Sequence, residues 1–246
     1  MPAAAVIGGT GLESYPGLVV TGERRMTTVF GDPSAPLVFG EIGGHGVVFL
    51  SRHGPDHDIA PHRINYRANI RALRDAGVER IFAVAAVGGI APGLDSSDIV
   101  VPHQIVDYTM SRAGTFFDEG RVVHVDMTHP YTPALRERLL RGAEAAGVAV
   151  HDGGVYGVTE GPRFETAAEI DRMERDGCTL VGMTAMPEAA LARELGMEYA
   201  ACAVVANPAA GRGAAEITLE EIYANLERGM EGVRRVLAAG LAAGPG

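Results

Sequence analysis

The sequence predicts an α/β protein in which one domain, residues 1–246, is built on a central, mostly parallel mixed sheet flanked by helices. Three observations lead there. The chain has 246 residues, 47% of them apolar, enough to bury a full core without splitting in two. Short β-branched runs alternate with longer amphipathic stretches, the pattern of strands joined by helical crossovers. Runs such as FAVAAV at 82–87 and ACAVVA at 201–206 are apolar at consecutive positions, as strands covered on both faces require.

The first strand is expected at Ala4 to Ile7, entering the glycine turn Gly8-Gly9-Thr10-Gly11. A second, Val47 to Ser51, ends at Arg52-His53-Gly54. A helix from Asn65 to Asp75 runs out at Gly77, because glycine takes the left-handed conformation that closes a helix. Strands follow at Ile81 to Val87 and Ile99 to Val101. Thr132 with Pro133 opens a helix that closes at Gly147, the proline standing where its missing N–H costs no bond. Strand Val155 to Thr159 leads to the turn Gly161 to Thr166 and a helix; Leu180 to Met183 delivers Thr184 to a helix that starts near Pro187 and stops at Gly196. After the apolar strand Tyr199 to Ala206 comes the clearest helix. Thr218 and Glu221 match a capping box, and Leu219, Ile222, Tyr223, Leu226, Met230, Val233 and Leu237 recur at helical spacing. The closing AAGLAAGPG reads as frayed.

Composition narrows the chemistry. The formal charge of −10 repels a polyanion, so no nucleic-acid partner is expected. Cys178 and Cys202 are too few for a disulfide framework and lack CxxC spacing; they read as buried small residues. MPAAAVIGGTG has no basic stretch followed by an apolar run, and no segment nears the roughly 18 uninterrupted apolar residues of a membrane span, so a cytoplasmic location and no membrane partner are expected. All 21 basic residues are arginine. Without lysine there is no Schiff base, no pyridoxal anchor and no P-loop lysine, so any anion is held by arginine, histidine, hydroxyls or backbone amides.

Five motifs follow predicted strands, where ligands of parallel α/β sheets bind. Gly8-Gly9-Thr10-Gly11 offers backbone N–H groups to an anion, or is only a tight turn; as a dinucleotide fingerprint it fails, since Ser14 stands where the third glycine belongs. Arg52-His53-Gly54-Pro55-Asp56-His57-Asp58, with His62 beyond, reads as an anion site on Arg52 and His53, as a surface loop, or as a metal site, although its spacings are neither HxH nor HExxH. Thr184 either seats an anion at a helix start or merely caps that helix. Phe164 and Glu165 set an aromatic beside a carboxylate, and Asn207 closes the most apolar strand.

Together GGTGL, RHG, NYRAN, the AVGG turn at Ala86 to Gly89, EGPRFET and GMTAMPEAALARELG resemble the trimeric purine nucleoside and methylthioadenosine phosphorylase family over nearly the whole chain. The resemblance implies the nucleoside phosphorylase fold and phosphorolysis of a glycosidic bond, with inorganic phosphate as co-substrate and no cofactor or metal. It implies that Thr10, Arg52, His53, Thr184 and the backbone near Ala86 bind phosphate. Met183 would lie under the ribose and Phe164 on the base, while Glu165 would accept from N1–H of a 6-oxopurine. Asn207 would bond O6 and N7 and so stabilise the leaving base. A homotrimer is implied, with His129-Pro130-Tyr131 the expected loan to a neighbour's 5' pocket.

Two departures narrow the substrate. Adenine-specific relatives carry aspartate at the position of Asn207 and again two residues on; here the chain reads Asn207-Pro208-Ala209, which favours a 6-oxopurine. Relatives taking inosine carry a histidine near the start of the last helix, whereas Ile217 to Tyr223 has none. An apolar 5' wall of Leu219, Ile222 and Tyr223 suits a methylthio group, so 5'-methylthioinosine is the expected substrate, with broader 6-oxopurine nucleosides or methylthioadenosine the alternatives. A metal-dependent hydrolase on His53, His57 and Asp58, or a nucleoside-binding module without catalysis, are the rivals from other classes.

Overall fold

The computed structural model describes residues 3–12, 14–214 and 216–243. Eleven strands among them form one sheet: β1 (Ala4–Gly8), β2 (Val19–Arg24), β3 (Leu37–Ile42), β4 (His45–Ser51), β5 (Arg80–Gly89), β6 (Ile99–Val101), β7 (Gln104–Asp107), β8 (His151–Asp152), β9 (Val155–Val158), β10 (Leu180–Gly182) and β11 (Glu198–Pro208). Five helices cover it: α1 (Tyr66–Asp75), α2 (Pro133–Ala146), α3 (Ala167–Arg175), α4 (Ala185–Glu194) and α5 (Leu219–Ala242).

The order is β2-β3-β4-β1-β5-β10-β9-β7, and β11 branches from β5 to carry β6 and then β8. β1 pairs in parallel with β4 and β5, and β5 in parallel with β11, which makes the centre of the sheet parallel. β2, β3 and β4 form an antiparallel meander at one edge. Side chains of the central strands alternate between two apolar layers, as the strand period of two requires. Val6, Phe82 and Cys202 face α2 and α5; Ile7, Ile81 and Ala201 face α1 and α4. α2 and α5 approach so closely that a Cβ on Gly142 would lie 2.7 Å from the Gly240 nitrogen, so glycine is required there for packing rather than for its dihedrals.

Helix ends follow their sequence signals. Asn65 caps α1 by accepting from the Ala68 N–H, Gly147 ends α2 at φ 60°, and Thr218 accepts from the Glu221 N–H at the start of α5. Four elements differ from expectation. β2, β3, β7 and β8 were not foreseen, since β2 is exposed at every position and β8 has two residues, so neither carries an apolar period. The sheet is thus buried at its centre and open at its rim. The expected frayed tail is helical as far as Ala242, with Leu237 and Leu241 buried on α2 and the sheet; its last three residues lie outside the described ones.

Candidate active site

Thr10, Arg52, His53, Ala86, Phe164, Glu165, Met183, Thr184, Asn207, Leu219, Ile222 and Tyr223 line one cavity of about 360 Å³ at the carboxyl ends of β1, β4, β5, β10 and β11, whereas His62 and His129-Pro130-Tyr131 are not among its lining residues. At its floor, β1 and β4 end side by side, Gly8 opposite Ser51, so Thr10, Arg52 and His53 converge although some 40 residues separate them in sequence. The glycine turn is required by crowding: a Cβ on Gly9 would lie 2.6 Å from the Val84 carbonyl oxygen and 3.0 Å from Arg52 Nη1.

Arg52 is almost wholly buried and already paired. Nε and Nη2 donate to the two Glu188 carboxylate oxygens at 2.8 and 2.9 Å, and Nη1 donates to the Val84 carbonyl at 2.9 Å. Burial works against its charge, but the Glu188 carboxylate outweighs burial and holds the guanidinium firmly protonated. Three of its five N–H donors are used, which leaves two for a ligand in the cavity. Arg52, expected in an anion site, is half of a neutral pair with Glu188 that offers oriented N–H groups.

His53 contributes no positive charge. Its Nδ1 lies 2.8 Å from the Ile59 carbonyl oxygen, which only accepts, so Nδ1 carries the proton and Nε2 is left as an acceptor. Burial, then the neighbouring Arg52, pushes its pKa down to about 4. His57 packs against it with ring centroids 4.7 Å apart, and His57 Nε2 lies 3.4 Å from Thr10 Oγ1. Among the described residues no group of three or more histidine, cysteine, aspartate or glutamate side chains is placed to share an ion.

Thr184 stands at the N-cap of α4, yet its side chain makes no capping bond, so of its two readings the capping one fails. Thr184, Met183 and Ala86 of β5 all line the cavity.

Farther out, Phe164 and Glu165 come from the turn after β9, and Asn207 from the end of β11. A register shift between Val205 and Asn207 sets Asn207 opposite Gly88, the kind of bulge that re-aims a side chain. The bulge is anchored from α5, where Asn225 Nδ2 donates to the Ala206 carbonyl at 2.7 Å. Asn207 Nδ2 donates to the Pro208 carbonyl at 2.6 Å, which leaves its Oδ1 and one N–H for a ligand. Glu165 Oε1 accepts from the Thr159 hydroxyl at 2.6 Å. The first turn of α5 adds apolar lining: Ile222 is buried, while Leu219 and Tyr223 are 62% and 50% exposed and Phe164 is 43% exposed.

Sequence reasoning missed the supporting residues Glu188, Tyr199, Thr159 and Asn225. The one available signal was Glu188, a charge on an otherwise apolar helix face four residues after Thr184. Of the expected loan from His129-Pro130-Tyr131, only His129 is exposed. Tyr131 is 1% exposed and stacks on Tyr199 at 5.9 Å inside its own subunit, and Pro130 is buried, so neither can reach a neighbour.

The sequence profile of the Phosphorylase superfamily matches residues 3–242. A probable S-methyl-5'-thioinosine phosphorylase of Pseudomonas syringae pv. tomato is 52% identical over 245 residues, covering 99% of this chain and 100% of the relative. The 6-oxopurine nucleoside phosphorylase of Pyrococcus furiosus is 42% identical over 248 residues, covering 98% and 92%. Among solved structures, the methylthioadenosine phosphorylase of Schistosoma mansoni in complex with adenine superposes with a TM-score of 0.94 at 30% identity, covering 98% of this chain and 91% of that one.

Proposed function

The chain belongs to the Phosphorylase superfamily, and from that premise we propose that it phosphorolyses 5'-methylthioinosine to hypoxanthine and 5-methylthioribose 1-phosphate. The observation that carries the substrate is one cavity lined both by Asn207 and Glu165 and by the histidine-free segment of Leu219, Ile222 and Tyr223. The name of the Pseudomonas relative points the same way. The single sheet of the described residues supports reading them as one domain.

In this reading phosphate sits on Thr10, Thr184, the backbone near Ala86 and the two free donors of Arg52. His53 Nε2 accepts the P–O–H of the monohydrogen anion, a role that a neutral imidazole fills and an imidazolium does not. The glycosidic bond loosens first, which leaves positive charge on the ribosyl ring above Met183 and negative charge on the purine. Glu165 accepts N1–H, and Asn207 donates where that negative charge develops, so it lowers the barrier more than it tightens ground-state binding. Phosphate captures C1' from the opposite face. No protein nucleophile takes part.

The enzyme is proposed to be a cytoplasmic homotrimer; the two free, buried thiols Cys178 and Cys202 fit a reducing compartment. Phe164, Leu219 and Tyr223 leave an apolar mouth that a neighbouring subunit would cover, and Met110 and Val122, 92% and 79% exposed, are among the exposed apolar side chains that could do so, with Val19, Val20 and Val29. The test is base release from 5'-methylthioinosine, inosine and methylthioadenosine, each with and without phosphate. Preference for 5'-methylthioinosine supports the assignment; equal or greater turnover of inosine would overturn the 5' reading, and of methylthioadenosine the base reading.

A further inference from the structure

We propose that Thr159 is a positioning residue for base choice: its hydroxyl fixes Glu165 as an acceptor, so the site requires an N–H at purine position 1. The inference rests on the reading of this cavity as a purine nucleoside site. Thr159 follows β9 and is held on three sides. Its backbone N–H donates to the Gly182 carbonyl at 2.8 Å, beside the strand end that delivers Met183 and Thr184. Its own carbonyl and that of Glu160 accept from Arg112 Nη2 at 3.0 and 2.8 Å. The Arg112 side chain is 3% exposed and is itself pinned by the Met186 carbonyl and by the Tyr66 hydroxyl at 3.1 Å.

A hydroxyl has one proton to give. Gly182 O lies 3.4 Å from Thr159 Oγ1 and already receives the backbone N–H, whereas Glu165 Oε1 lies at 2.6 Å, within the short range of a bond from a hydroxyl to a carboxylate. The proton therefore goes to Glu165, occupying Oε1 and setting the plane of the carboxylate. Oε2 is left for the base. A 6-oxopurine offers N1–H to it, while adenine offers a lone pair at N1 and meets repulsion. With the donor removed, Oε1 has no partner to hold it, the carboxylate turns, and both the attraction and the repulsion weaken.

Thr159→Val keeps the shape and removes the donor; Thr159→Ala removes the same donor should the valine variant not fold; Thr159→Ser restores it. The ratio of kcat/KM on 5'-methylthioinosine to that on methylthioadenosine should fall at least about tenfold in the valine variant and return to within about twofold in the serine variant, with the KM for phosphate little changed. In a Glu165→Gln background, Thr159→Val should add almost nothing to the ratio, whereas a merely structural role would add independently. Calorimetric binding of hypoxanthine against adenine reads the same discrimination without turnover. Failure of the wild-type protein to phosphorolyse therefore counts against the proposed activity alone. An unchanged base preference in folded Thr159→Val, or additivity with Glu165→Gln, overturns the role of Thr159.

Discussion

Arg52 and Glu188 form a bidentate ion pair inside the protein, at 2.8 and 2.9 Å, with side chains 1% and 0% exposed. The Tyr199 hydroxyl donates to the same carboxylate at 2.8 Å. The pair thus joins the end of β4 to α4 and β11, and it presents the cavity with oriented N–H groups rather than a free charge.

Removing one partner leaves a buried charge unpaired, which costs about 3–5 kcal/mol, while replacing both by apolar residues is often close to neutral. Arg52→Ala should lose stability on that scale together with phosphate binding. The double variant Arg52→Met, Glu188→Leu should regain most of the stability and none of the phosphate affinity. Denaturant titration with phosphate KM measurements checks this; wild-type stability and phosphate KM in Arg52→Ala would contradict it.

His53 gives a pH dependence of definite sign. Its pKa is about 4 in the folded protein against 6.5 for the free side chain, burial being the main cause. Between those values the unfolded chain binds a proton that the folded chain does not, so stability falls as pH drops from 6.5 towards 4 and is level above, by up to about 3 kcal/mol. His53→Gln should flatten that slope in urea midpoints taken across the window. An unaltered slope would mean that other groups carry it.

Much of this was legible beforehand because strands covered on both faces read as unbroken apolar runs, as in β5 and β11, and because helix ends carry capping residues such as Asn65 and Gly147. Rim strands were not, since β2 owes its existence to pairing with β3 rather than to any apolar period of its own. Thr10, Arg52, His53, Phe164 and Glu165 of the cavity stood in glycine-bearing motifs after strands, and Leu219, Ile222 and Tyr223 in the first turn of a capped helix. Their partners did not: Glu188 is four residues from Thr184 but 136 from Arg52, and nothing local marks such a pair.

Asn207→Asp should shift preference towards methylthioadenosine. An amide donates to O6, whereas an ionised carboxylate only accepts, opposing O6 and suiting a 6-amino group. An unmatched contact in a buried site costs about 1–3 kcal/mol, so the preference ratio should move about tenfold or more. Glu165 still favours N1–H, so the switch is partial. An unchanged ratio in folded enzyme would show that Asn207 does not read the base.

Light scattering at assay concentration should give the mass of three chains. Val122→Asp, which places a charge on an exposed apolar position, should weaken the assembly and raise the KM for nucleoside more than that for phosphate. A fully active monomer would refute the shared 5' pocket.

The most direct test of phosphorolysis is stoichiometry. Phosphorus NMR of the enzyme with 5'-methylthioinosine and inorganic phosphate should show one sugar 1-phosphate formed and one phosphate consumed for each hypoxanthine released, with no release when phosphate is omitted. Hypoxanthine appearing at the same rate without phosphate, alongside free 5-methylthioribose, would make the enzyme a hydrolase and contradict the account.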